Sequence, residues 1–128
     1  MAELLHKELS YKLIGAAMEV HKTLGTGFLE KTYQKAYETE LKIQKIPFVN
    51  QKKIKISYKG IDLGFQVLDL VVDDKVIVEI KTILEILPIH LAQLTSYLKA
   101  TDYQLGILIN FGAKSLQYKR IALSKNHS

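Results

Sequence analysis

Leu68-Asp69-Leu70-Val71-Val72-Asp73-Asp74-Lys75-Val76-Ile77-Val78-Glu79-Ile80-Lys81 is the stretch on which the fold turns. Two apolar, largely β-branched runs flank the turn pair Asp73-Asp74, a pattern that predicts two strands, Ile61 to Val72 and Val76 to Ile80, joined as a hairpin. The second run is apolar on both faces, as a central strand covered on both sides would be. Glu79 is the conspicuous charge within it. Side chains alternate across a strand, so Glu79 and Lys81 share a face, and antiparallel pairing through the short turn sets Asp69 beside Glu79. Two carboxylates and an amine are thereby expected to converge.

Toward the N-terminus, Ile54 to Tyr58 alternates apolar with polar residues, Lys59-Gly60 supplies a turn, and Gly64 marks a bulge in the following strand. Before these strands the period changes. Leu9, Leu13, Ala17, Val20 and Leu24 recur at steps of three or four, which predicts an amphipathic helix ended by Gly25-Thr26-Gly27. A second helix runs from about Phe28 through Leu29, Tyr33, Ala36, Tyr37 and Leu41 and stops before Pro47.

Beyond Lys81, Pro88 suits the first turn of a helix that continues to about Ala100, with Leu91, Leu94 and Leu98 as its buried stripe. Gln104 to Ile109 reads as an apolar strand, Asn110-Phe111-Gly112 as a turn and Leu116 to Leu123 as a last alternating strand. The order helix, helix, three strands, helix, two strands predicts an α/β sandwich. We assign residues 1–123 to a single domain and 124–128 to a flexible tail.

The 128 residues suit one domain, because two halves would each bury too little surface. No apolar run spans a bilayer, and the opening Met-Ala-Glu-Leu-Leu-His-Lys lacks the basic start and apolar stretch of a secretory leader, so a cytoplasmic address is expected. The chain has no cysteine, which excludes disulfides, thiolate metal sites and a cysteine nucleophile. Any metal must then be held by oxygen or imidazole. The 18 Lys and Arg against 13 Asp and Glu give a net charge of +5, compatible with a polyanionic partner such as nucleic acid and equally with a merely soluble surface.

A hard cation such as magnesium prefers oxygen ligands at about 2.0–2.1 Å and keeps several waters, so Asp69, Glu79 and the backbone carbonyl of Ile80 form a sufficient candidate set. Lys81 is then placed to orient a nucleophile or stabilise developing charge, and phosphodiester hydrolysis is the natural reaction. On spacing alone, Glu79 with Lys81 also suits a surface ion pair. Gly27, Glu30 and Tyr33 open the second helix. Glu30 is a candidate third carboxylate or a simple complement to the helix dipole, and Tyr33 a site residue or ordinary core. On the later helix His90, Gln93 and Tyr97 fall on a face distinct from the leucine stripe. Gln93 could hold a water, a phosphate or a catalytic side chain, Tyr97 could support it, and His90 suits a phosphate contact or the rim.

Val20-His21-Lys22-Thr23-Leu24-Gly25-Thr26-Gly27-Phe28-Leu29-Glu30-Lys31-Thr32-Tyr33 resembles the naming segment of the GxxExxY proteins, a family placed in the PD-(D/E)XK nuclease-like superfamily, with Gly27, Glu30 and Tyr33 in the three named positions. Asp69 followed by Glu79-Ile80-Lys81 is similar to the superfamily's acidic and ExK motifs, and Gln93-Leu94-Thr95-Ser96-Tyr97 to the QxxxY motif of RecB-type nucleases. Gly106-Ile107-Leu108-Ile109-Asn110-Phe111 resembles the family's closing strand, so the likeness runs from about Leu13 to about Ile121. The chain departs from the pattern at Val67, where relatives often carry a basic residue two positions before the acidic one. The resemblance implies a restriction-endonuclease-like core, a mixed sheet flanked by helices. It also implies Mg2+ or Mn2+ held by Glu30, Asp69 and Glu79, with Lys81, Gln93 and Tyr97 completing the centre.

The reading that follows is a metal-dependent nuclease acting on DNA or RNA. Its rival is a module that keeps this fold and binds nucleic acid or protein without turnover. A third is a structural homo-oligomer paired through the exposed edge of Leu116 to Leu123.

Overall fold

A computed structural model of the protein describes residues 5–125. The chain runs α1 (Lys7–Leu24), α2 (Glu30–Ile43), β1 (Phe48–Tyr58), β2 (Ile61–Val72), β3 (Val76–Lys81), α3 (Pro88–Lys99), β4 (Leu105–Asn110) and β5 (Gln117–Ala122). All five strands join one sheet in the order β1-β2-β3-β4-β5. Only β3 and β4 pair in parallel, from Val76↔Leu105 to Lys81↔Asn110, and the other neighbours are antiparallel. A parallel pair needs a crossover, which α3 supplies. The fold class predicted from the order of elements is the one observed.

The sheet has an apolar core on each face. On one, Leu13, Ala16, Ala17 and Val20 of α1 and Tyr33, Tyr37 and Leu41 of α2 pack with Leu70, Val72, Val76, Val78, Ile80, Leu105, Ile107 and Ile109. On the other, Leu94, Tyr97 and Leu98 of α3 pack with Ile54, Leu68, Val71, Ile77 and Leu108. The central strands β3 and β4 are therefore covered on both sides, which is why their sequences lack alternation. Among the described residues no helix is long and apolar enough to cross a membrane.

The turn Val72-Asp73-Asp74-Lys75 carries positive φ at both central residues, 51° and 52°, and is closed by the Lys75 N–H donating to the Val72 carbonyl at 2.9 Å. This geometry matches the twist of a tight hairpin, and aspartate tolerates it. Gly64, with φ 102°, sits where the β1/β2 register shifts between Lys55 and Ser57, so the expected bulge is present.

Three details differ from the expectations. β1 begins at Phe48 rather than Ile54, because its first half does not alternate. Leu91 is only partly buried, whereas Tyr97 packs in the same core as Leu94 and Leu98 instead of on a separate polar face. Asn110 closes β4, and the following Phe111 is wholly buried against Tyr33, with ring centroids 4.9 Å apart, so neither is an exposed turn residue. Lys125 reaches back to the Leu98 carbonyl and, at 2.8 Å, to the Thr101 carbonyl; residues 126–128 of the tail lie outside the described residues.

Candidate active site

β2 turns over at Asp69. Leu70 and Val72 face α1 and α2, and strict alternation would keep Leu68 with them, yet Leu68 lies in the core under α3. Opposite Asp69 in the register, Gln51 of β1 has φ 50°, so both strands twist at one level. At the same level β2 and β3 cease to pair: their ladder runs from Val72↔Val76 only as far as Leu70↔Val78.

Two carboxylates take over where the ladder stops. The Asp69 N–H donates to Glu79 Oε2 at 2.8 Å, and the Ile80 N–H donates to Asp69 Oδ2 at 2.8 Å. Each acidic side chain thus satisfies a backbone donor of the opposite strand in place of a carbonyl. The second oxygen of each carboxylate has no hydrogen bond among the described residues. A strand residue directs its N–H and C=O the same way, so the Ile80 carbonyl is also turned toward β2, beyond the last paired residues.

Glu79 is 4% exposed, and burial, reinforced by the Asp69 carboxylate, raises its pKa to about 8 despite the Asp69 N–H and Lys81. Asp69 is raised too, by burial, against the opposing pull of the Ile80 N–H and Lys81. Glu30 opens α2 at the surface, yet loss of surrounding water and the Asp69 charge raise it as well. Burial raises the Tyr97 hydroxyl, with Glu79 and Asp69 adding to it. Three carboxyls that disfavour ionisation in one another's neighbourhood make a site suited to a cation.

The Lys81 Nζ donates to Gln93 Oε1 at 3.2 Å, which ties the end of β3 to the exposed side of α3. Among the described residues Glu79 and Lys81 form no ion pair, so the surface-pair alternative fails. Lys81, Gln93, Tyr97, Asp69 and Glu79 therefore gather at one end of the β2/β3 divergence, with Glu30 coupled to them electrostatically. No three His, Asp or Glu side chains among the described residues are grouped closely enough to hold a metal ion alone. The donor set on hand is the two carboxylates with the Ile80 carbonyl, a hard-oxygen set that fits a small divalent cation keeping part of its water.

Tyr33 is the support of this end rather than a member of it. Its hydroxyl donates to the Gly25 carbonyl and accepts from the Phe28 N–H at 3.4 Å, pinning the loop in which Gly27 adopts φ 110° and from which Glu30 starts α2. His90 Nδ1 accepts the Leu87 N–H at 2.9 Å and so caps α3. Three residues that support the site were not among its candidates in the sequence. Gln34 Nε2 donates to the Asp69 carbonyl at 3.2 Å, bracing β2 from α2. The Asn110 amide accepts from the Ile83 and Gly112 N–H groups and donates to the Ile83 carbonyl, each at 2.9 Å, fixing the exit of β3 just past Lys81. Phe111 stacks on Tyr33. An Asn or Gln announces nothing by composition, since its role depends on which backbone groups the fold leaves unpaired.

A model of the PD-(D/E)XK nuclease superfamily matches residues 7–121. No curated protein and no solved structure matches the chain significantly. The family match runs from the start of α1 into β5 and includes the diverging strands that bear Asp69, Glu79 and Lys81. The chain belongs to the PD-(D/E)XK nuclease superfamily.

Proposed function

We propose that the chain is a divalent-metal-dependent nuclease that hydrolyses phosphodiester bonds in DNA or RNA. The observation that carries this reading is the reciprocal Asp69/Glu79 arrangement, a buried and a partly buried carboxylate that both resist ionisation beside the Lys81 ammonium. Asp69, Glu79 and the Ile80 carbonyl would hold Mg2+ or Mn2+, and Glu30 would contribute through a retained water. When bound, such an ion neutralises phosphoryl charge and makes a water more acidic. Lys81, steadied by Gln93, stabilises the charge that develops on the phosphate oxygens. Tyr97, which α3 packs against the sheet, closes the wall behind Glu79 and Asp69. The Gly27, Glu30 and Tyr33 spacing supports placing the chain among the GxxExxY proteins, since Tyr33 holds the loop that presents Glu30.

The test is incubation of purified protein with single- and double-stranded DNA and RNA, with and without Mg2+ or Mn2+. Nicking or degradation of at least one substrate, lost on chelation and in Glu79→Ala, is the expected result. Salt-sensitive retention without cleavage of any substrate, unchanged by Glu79→Ala, supports a non-catalytic binding module instead.

A further inference from the structure

Beside the carboxylates, on the α2 side of the sheet, lies a cleft of about 430 Å³ lined by Glu30, Lys31, Gln34, Lys35, Asn50 and Asp69, among others. Its β1/β2 wall is Asn50, Gln51 and Asp69, next along both strands to the outer half of the hairpin. Past the turnover at Gln51 and Asp69, Ile54 and Leu68 face α3, so alternation puts Lys53 and Lys55 on the opposite face together with their cross-strand partners Val67 and Phe65. No helix covers that face, and Phe65 is 56% exposed. The Lys53 ammonium lies 4.7 Å from the Phe65 ring centroid. A charge for a phosphate and a flat surface for a base are thus within one nucleotide's reach.

The charge of the track favours a polyanion. Lys31, Lys35 and Lys53 have no carboxylate within ion-pair distance among the described residues, and Lys55 meets only the exposed Asp62 at 3.8 Å. Glu38, the remaining acid of the cleft, is already held by the amides of Gln34 and Asn50 at 3.1 Å each. An apolar ring set among lysines suits unpaired bases, which stack on aromatic faces, whereas a duplex keeps its base faces covered. The cleft is of the size that takes individual small ligands, about 300–1,000 Å³.

We infer that a single strand of nucleic acid lies along this track, its phosphates on Lys31, Lys35, Lys53 and Lys55, with one base stacked on Phe65 and the strand leading into the Asp69/Glu79 site. The assignment rests on the nuclease reading and names the form of substrate that the site receives.

The experiment measures binding of a labelled oligothymidylate of about 12 nucleotides, the matching oligouridylate and a duplex of the same length, in the Glu79→Gln background so that turnover does not intrude. Tighter binding of the single strands than of the duplex is expected. Lys→Gln at positions 31, 35, 53 and 55 should each weaken it and lower the slope of log K against log salt by about 0.7. Phe65→Ala should cost about tenfold, with Phe65→Tyr restoring affinity. Lys99→Gln, at the end of α3, should leave the slope unchanged. Equal affinity for the duplex with no effect of Phe65→Ala overturns the assignment. So does cleavage by otherwise native protein whose KM ignores the four lysines. Strand binding that maps to these residues without cleavage of any substrate upholds the track and removes the nuclease reading.

Discussion

Glu79 stands in a central strand covered on both faces, 4% exposed, with the Asp69 N–H as its hydrogen-bond donor. Its carboxyl titrates at about 8, against an ordinary 4.5, because burial and the Asp69 charge oppose ionisation. Between those values the folded protein keeps a proton that the unfolded chain has released, so stability without metal falls as pH rises from about 4.5 to about 8. Asp69 and Glu30, both raised, act in the same direction. Glu79→Gln, which cannot ionise, should flatten this slope and stabilise the metal-free protein near pH 8 by on the order of 2 kcal/mol. Thermal unfolding across the pH range reads it, and a parallel slope in the variant would place the titration elsewhere. At Lys81 the expectation is different. Lys81→Ala should leave fold and metal affinity intact while cutting hydrolysis about 100-fold or more, since its task is charge stabilisation. Asp69→Asn should weaken Mn2+ binding itself, by more than the about 10- to 100-fold that follows loss of a supporting partner. Calorimetric titration beside a cleavage assay separates the two.

At the scale of elements, the exit of β3 is set by a close passage of backbone. A Cβ on Gly112 would stand 2.5 Å from the Ile83 nitrogen, while the Asn110 amide ties both segments together. Gly112→Ala must push the Thr82-Ile83 segment away and with it the carbonyl side of Lys81, so it should cost about 1–3 kcal/mol and reduce activity. A denaturant midpoint equal to that of the wild type would show that the passage is looser than drawn. This device was not legible beforehand: Asn110-Phe111-Gly112 has the composition of an exposed turn, and only the fold shows that Asn110 replaces missing backbone partners while Phe111 fills the core. The late start expected for β1 has a similar cause. Val49 and Gln51 are exposed and the strand turns over at Gln51, so no period-2 pattern runs through Phe48 to Lys53. By contrast β3, α3 and the Asp73-Asp74 turn were readable, because each is dictated by local chemistry: two-sided burial, a helix-opening proline and a tight hairpin turn.

Across the whole molecule, two helices on one face and one on the other bury β3 and β4, and the site lies where β2 diverges from β3. The approach of Asp69 to Glu79 could be read from spacing, since a short hairpin fixes register over a few residues. The bracing by Gln34 and the turnover at Asp69 could not, because both depend on how α2 lies across the sheet. In the nuclease reading the Asp69/Glu79 pair exchanges its proton for a divalent cation when the protein becomes active, so metal dependence and pH dependence must be linked. The most direct measurement is the rate of cleavage of a single-stranded oligonucleotide against free Mn2+ concentration, at about pH 6 and about pH 8, for wild type and Glu79→Ala. The predicted result is saturable dependence on Mn2+ in the wild type, with half-saturation at lower Mn2+ near pH 8, and background rates in Glu79→Ala. Cleavage that is indifferent to Mn2+ and equal in the two proteins, or no cleavage at either pH, would contradict it.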